Sequence, residues 1–136
     1  MSKSQVATEY LVVIAIGIAI LVPLITYLNE LFLAYKDDSK IASAKSAVNK
    51  LVTLSNWVHS QGYPARVTCL IYLPEGIESI EFLNKTITIR MRTKGGFVDI
   101  SEGTLTEIYG SLPEKEGYYN VVIKHEYDKV QISVVE

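Results

Sequence analysis

The chain has 136 residues, 49% of them hydrophobic and 21% charged, which excludes wholesale disorder and allows one small domain plus an appendage. A formal net charge of -2, with no run of Lys or Arg, excludes a strongly basic nucleic-acid binder. A single cysteine, Cys69, excludes an internal disulfide framework and a Cys-based zinc site, and two histidines, His59 and His125, leave little for metal or acid–base chemistry.

Charge is spread unevenly. Residues 1–28 carry one cation, Lys3, and one anion, Glu9. From Leu11 to Leu28 the chain reads LVVIAIGIAILVPLITYL, apolar except for Thr26 and Tyr27. At 1.5 Å per residue a helix over this stretch is roughly 27 Å long, close to the ~30 Å hydrocarbon core of a bilayer. A buried helix of a soluble protein is the alternative, but a domain this small can hardly wrap a helix that is apolar all round. A secretory signal would end in a small-residue cleavage site, and Thr26-Tyr27-Leu28-Asn29-Glu30 offers none. Lys3 precedes the span while Glu30, Asp37 and Asp38 follow it, so the positive-inside rule places the amino terminus in the cytoplasm and residues 29–136 outside. Within the span, Ala15, Gly17 and Ala19 supply small surfaces for close helix packing. Pro23 is expected to loosen the hydrogen-bond ladder and kink the helix.

Glu9 stands two positions before the apolar run, where a carboxylate drawn to mid-bilayer costs up to ~2.5–3.5 kcal/mol. One reading is an acid in the first helical turn, favoured by the macrodipole at the membrane surface. The other comes from its surroundings. The string Lys3-Ser4-Gln5-Val6-Ala7-Thr8-Glu9-Tyr10 resembles the class III signal peptide of archaeal type IV pilin-like proteins: a short basic leader, a small residue, Gln, then an acid–aromatic pair leading into an apolar helix. Ser4 stands where that family usually has Gly, a mild departure, and the resemblance covers residues 3–28. It implies that a prepilin peptidase cuts between Ser4 and Gln5 on the cytoplasmic side, with Lys3 two positions before the cut and Glu9 the fifth residue of the mature chain. Such a cut keeps the apolar helix and creates an amine at Gln5. In a stack of apolar helices, a buried amine and carboxylate must pair or become neutral. Glu9 could pair with its own amine one turn away, or with that of a neighbour, which would fix the axial register of subunits as one polar group does in a coiled coil. An amino-terminal Gln can also cyclise, which would remove the positive charge.

After Tyr35 the composition turns polar at Lys36-Asp37-Asp38-Ser39, where Asp38 or Ser39 can cap a new turn. Ile41, Ala44, Val48, Leu51, Leu54 and Val58 then recur at helical spacing, and Gly62 and Pro64 end the run. This predicts an amphipathic helix that continues from the span, straight or gently bent. From Arg66 the period becomes two. Val67, Cys69, Ile71 and Leu73 share one face, as do Ile87, Ile89 and Met91, then Tyr119, Val121 and Ile123, and Val130, Ile132 and Val134. Turns are expected at Pro74-Glu75-Gly76, at Gly95-Gly96 and near Asp128, while residues 104–109 are ambiguous. The expected fold is α+β: a long amino-terminal hydrophobic helix running into an amphipathic helix packed on a mostly antiparallel sheet of five to seven strands. The expected divisions are a leader over 1–4, a membrane or filament-core helix over 5–35, the amphipathic helix over 36–62 and a β-rich extracellular head over 63–136. That layout resembles a type IV pilin.

Asn84-Lys85-Thr86 fits the N-x-[ST] acceptor pattern at an expected tight turn, so Asn84 is a candidate for glycosylation as well as a turn residue. Cys69 alternates with core residues and reads as a small buried hydrophobe. His59 and His125 lie on separate elements with no Cys partner and read as satisfied or exposed structural histidines. Glu75, Glu78 and Glu81, and likewise Glu114 and Glu116, could bind a cation such as calcium, but acids in solvated turns are the commoner explanation. No catalytic triad signature, phosphate loop or CxxC pattern is present, so neither an enzyme nor a cofactor is expected. The nine tyrosines suit strand packing and an adhesive surface. The resemblance implies a structural subunit of an archaeal surface filament, polymerised with copies of itself and served by a prepilin peptidase, an assembly ATPase and a membrane platform protein. A minor priming or tip subunit, and a single-pass anchored binding module, are the alternatives.

Overall fold

The computed structural model describes residues 2–135; Met1 of the expected leader and Glu136 of the head lie outside the described residues. Two compact units make up the chain, one up to Lys36 and one from Asp37 onward. Helix α1, Lys3–Gln61, contributes residues to both.

In the first unit the helix is rich in Val and Ile, which lower helix propensity in water. In lipid the preference reverses, because a backbone without water must satisfy its own N–H and C=O groups. None of the most apolar stretch is buried in the structure. The helix passes through Pro23 and through Asp37-Asp38 without interruption. Asp38 and Ser39 therefore cap nothing. Near Pro23, the Thr26 hydroxyl donates back to the Val22 carbonyl at 3.0 Å.

In the second unit the same helix becomes one-sided. Ala44, Ala47, Val48, Leu51, Ser55 and Val58 are buried, a stripe at steps of three and four, while Lys45, Asn49 and Lys50 face solvent. Gly62 ends the helix with φ +81°, the left-handed conformation that favours glycine, and its N–H donates to the His59 carbonyl at 3.2 Å.

Seven strands follow: β1 Arg66–Leu73, β2 Ile77–Leu83, β3 Thr86–Thr93, β4 Gly96–Gly103, β5 Glu107–Gly110, β6 Gly117–Glu126 and β7 Lys129–Val134. They form two sheets, β1-β6-β7-β5 and β2-β3-β4, where the sequence suggested one. All pairings are antiparallel except β5 with β7. The ambiguous stretch 104–109 supplies β5, which lies beside β7 because the chain before it is held by the β2–β3 turn. There Thr104 N–H donates to the Lys85 carbonyl (2.7 Å) and Ile108 N–H to the Asn84 carbonyl (2.8 Å). Gly110 lets β5 approach closely, since a Cβ at that position would overlap the Ile132 carbonyl.

The architecture is thus α+β, a long amino-terminal helix whose second half packs on mixed, mainly antiparallel sheets. The core joins Val48, Leu51 and Val58 of the helix to Ile71, Ile87, Ile89, Met91, Val121, Ile123 and Ile132 of both sheets. At the other end of that helical stretch, the Asp37 carboxylate accepts the Lys94 N–H of the β3–β4 turn at 3.1 Å.

Candidate functional site

The first turn of α1 is built by Ser2, whose carbonyl accepts the N–H of Gln5 at 3.1 Å and of Val6 at 3.5 Å. The Ser2 and Ser4 hydroxyls lie 3.1 Å apart, and the Thr8 hydroxyl donates to the Ser4 carbonyl at 2.8 Å. Both sides of the Ser4–Gln5 peptide are therefore engaged in helical hydrogen bonding. A protease that needs an extended substrate must unwind this turn before cutting it.

Lys3, Ser4, Gln5 and Glu9 are all exposed. Glu9 is the seventh residue of the helix, so the first-turn reading of this acid is corrected: the helix starts at Lys3, and the turn carries no acid. Gln5, Thr8, Glu9 and Val12 share one helical face, with a carboxylate one turn beyond Gln5. An amine created at Gln5 would stand on the same face as Glu9 at that spacing.

Along the span, Ala15 and Ala19 lie on one face at i and i+4, whereas Gly17 points away from it. All three are exposed, and nothing in the structure approaches Gly17 within 4 Å of where a Cβ would sit. The sequence thus places small residues on more than one side of the rod. Val12, Ile14, Ile16, Ile18, Ile20 and Leu24 are each more than half exposed. Such a surface requires lipid or protein cover.

In the head, Asn84 is exposed at the two-residue β2–β3 turn with φ +53°. That conformation alone explains an Asn at the position. Its outward side chain is also open to modification. Cys69 is half-buried on the inward face of β1, where burial pushes its thiol pKa up against the opposing charge of Lys50.

The two histidines are neighbours in space. Sequence reading set them on separate elements; the structure brings them together, with His59 Nδ1 3.4 Å from His125 Nε2 and the ring centroids 5.4 Å apart. Tyr pairs also form that sequence did not reveal. Tyr63 and Tyr127 stack at 5.3 Å, and Tyr72 and Tyr118 meet across β1 and β6 at 4.9 Å. Tyr72 donates to Glu116 at 3.0 Å and Tyr109 donates to Glu126, and these acceptors push both phenol pKa values up. The only advance signal for these contacts was strand alternation, which assigns faces but not partners.

Among the described residues no group of three or more His, Cys, Asp or Glu side chains is placed to hold a metal ion. Among the described residues one helix, α1, is long and apolar enough to cross a membrane. It is compatible with a single-pass membrane anchor. Comparison with family models, with curated proteins and with solved structures gives no significant match to this chain.

Proposed function

We propose that the protein is a structural subunit of a surface filament of the archaeal type IV pilus kind, polymerised through its amino-terminal helix. The observation that carries the reading is a rod of exposed apolar residues, Leu11–Leu28, joined by unbroken helix to a residue stretch anchored in a folded head. The string Lys3–Tyr10 supports it by its resemblance to a class III leader.

Each subunit starts as a single-pass membrane protein with its amino terminus in the cytoplasm. A prepilin peptidase removes residues 1–4, and an assembly ATPase with a platform protein drives extrusion. Subunits then exchange lipid contacts for helix-on-helix packing, in which Ala15, Gly17 and Ala19 permit close approach. Glu9 meets the amine of Gln5 on a neighbouring subunit and sets the axial step. The head faces water and carries adhesion or a related surface role, with a glycan on Asn84.

The test is electron microscopy of material sheared from cells, with amino-terminal sequencing of the subunit. Filaments whose subunit begins at Gln5 are the expected result. A mature chain starting beyond Tyr27, or one that stays monomeric in the membrane, overturns the reading. Glu9→Val is expected to insert into the membrane yet lose polymerisation; normal filaments from it remove Glu9 from the mechanism. Asn84→Gln is expected to lose a discrete mass increment.

A further inference from the structure

We propose that His59 and His125 form a binding site for a divalent transition ion of the zinc type, with His59 Nδ1 and His125 Nε2 as the protein ligands. The inference does not depend on the filament reading, because both residues belong to the compact unit from Asp37 onward.

The spacing is the first argument. At 3.4 Å the two nitrogens are farther apart than in a good N–H···N hydrogen bond. Two nitrogens at zinc–nitrogen distances of about 2.0–2.1 Å in a tetrahedral shell stand about 3.3–3.4 Å apart. The ring planes are tilted by 45°, so the imidazoles are not stacked on one another.

Preorganisation is the second. His125 is 8% exposed on the inward face of β6, and its backbone N–H donates to the Ala65 carbonyl at 2.9 Å. His59 sits in the last turn of α1, half-buried beside the buried Val58 and the exposed Ser60. One ligand is therefore fixed while the other borders solvent, leaving the remaining coordination positions to water or a small ligand.

The electrostatic surroundings are the third. The nearest cationic pair by strand register, Arg66 with Lys124, belongs to the opposite face of the β1–β6 ladder by alternation. Imidazole selects zinc, copper or nickel over magnesium or calcium, and only two protein ligands imply modest affinity. Bound there, an ion would staple the end of α1 to β6 across 66 residues of sequence.

The experiment uses the full chain without a polyhistidine tag, purified in detergent and stripped with chelator. Zinc at about ten times its Kd is expected to raise the thermal midpoint of the head by roughly 5 °C, and magnesium at the same concentration to leave it unmoved. His59→Ala, at a half-exposed helix end, is expected to fold and to lose the zinc shift. Copper(II) bound to the wild type is expected to show hyperfine coupling to two imidazole nitrogens by electron paramagnetic resonance, and to one in His59→Ala. An equal zinc shift in wild type and variant, no shift at millimolar zinc, or an unchanged nitrogen count overturns the assignment.

Discussion

The two halves of α1 are one helix by backbone and two materials by side chain. From Leu11 to Leu28 the apolar residues cover every side and none is buried, whereas from Ala44 to Val58 a single stripe, Ala44, Ala47, Val48, Leu51 and Val58, is buried against the core. The second half thus owes its stability to a core the chain itself supplies. The first half has no such core, so its apolar surface is a demand placed on lipid or on other molecules. Helical geometry does not distinguish the halves; the distribution of polar residues around the axis does. This difference makes the amino-terminal half compatible with a single-pass membrane anchor, while the apolar stripe of the second half is covered by the chain's own core.

The sharpest way to break that contrast is to cut side chains of similar size from each half. Leu51→Ala empties a site with no solvent exposure and is expected to destabilise the head by about 2–5 kcal/mol in thermal or denaturant unfolding in detergent. Ile16→Ala, at a residue 56% exposed, is expected to leave the same transition unmoved and to act only on membrane or assembly behaviour. If Ile16→Ala shifts the unfolding of the head, the halves are not independent in the way their burial implies.

Gly110→Ala probes the head alone and ranks next. The residue has φ +146°, and an added Cβ would strike the Ile132 carbonyl of β7, which is backbone and cannot rotate away. A loss of at least about 2 kcal/mol is expected, with disruption concentrated at β5. Hydrogen exchange at the β5 and β7 amides checks it: protection should fall there first. Retained protection would mean that the parallel pair tolerates a shift.

How much of this was readable in advance follows from the range of the interactions. Leu11–Leu28, the stripe from Ala44 to Val58 and the Gly62 stop are local patterns, and they match the structure. The hairpin turn at Asn84-Lys85 was legible for the same reason, as was the inward alternation of Ile87, Ile89 and Met91. Periodicity states which side of an element is buried, and that is all it states. It could not show that the strands divide into two sheets, or that β5 runs parallel to β7, because those facts lie in pairings between distant residues. Gly110 was a usable hint, since glycine inside a short strand often marks a close backbone approach. His59 and His125 carried no hint at all. Each has its own local surroundings, and only the docking of the α1 end against β6 makes them neighbours. The residues assigned to cleavage and register, Lys3, Ser4, Gln5 and Glu9, were read from a motif and still rest on it.

A smaller effect is expected where Asp37 accepts the Lys94 N–H at the far end of the helical stripe. Asp37→Ala removes a bond of about 0.5–1.5 kcal/mol but gains helix propensity of a few tenths, so a net loss below about 1 kcal/mol should appear in denaturant unfolding. Asp37→Asn keeps an acceptor oxygen and should sit between the variant and the wild type. An Asn variant as damaged as the Ala variant would assign the effect to charge instead of the hydrogen bond.

The smallest effect tests whether charge matters to the head as burial does. Arg90 donates to both carboxylate oxygens of Asp99 across β3 and β4, at 2.8 and 3.1 Å, and these bonds hold the Asp99 carboxyl below its ordinary pKa. A depressed carboxyl contributes stability that is present above the unfolded value, about 3.9, and is lost as pH falls through the lower folded value. Arg90→Gln should therefore raise the Asp99 titration midpoint, followed by carboxyl carbon shifts, while the unfolding transition at neutral pH barely moves. Both groups are solvent-exposed, so salt and water screen the pair at either end of the cycle. The geometry is good enough to be seen in a titration and too wet to hold the sheet. A large neutral-pH loss in Arg90→Gln would mean that the outer face of β2-β3-β4 is covered in solution, and the guanidinium lying 5.9 Å from the Phe97 ring would be the first place to look for that cover.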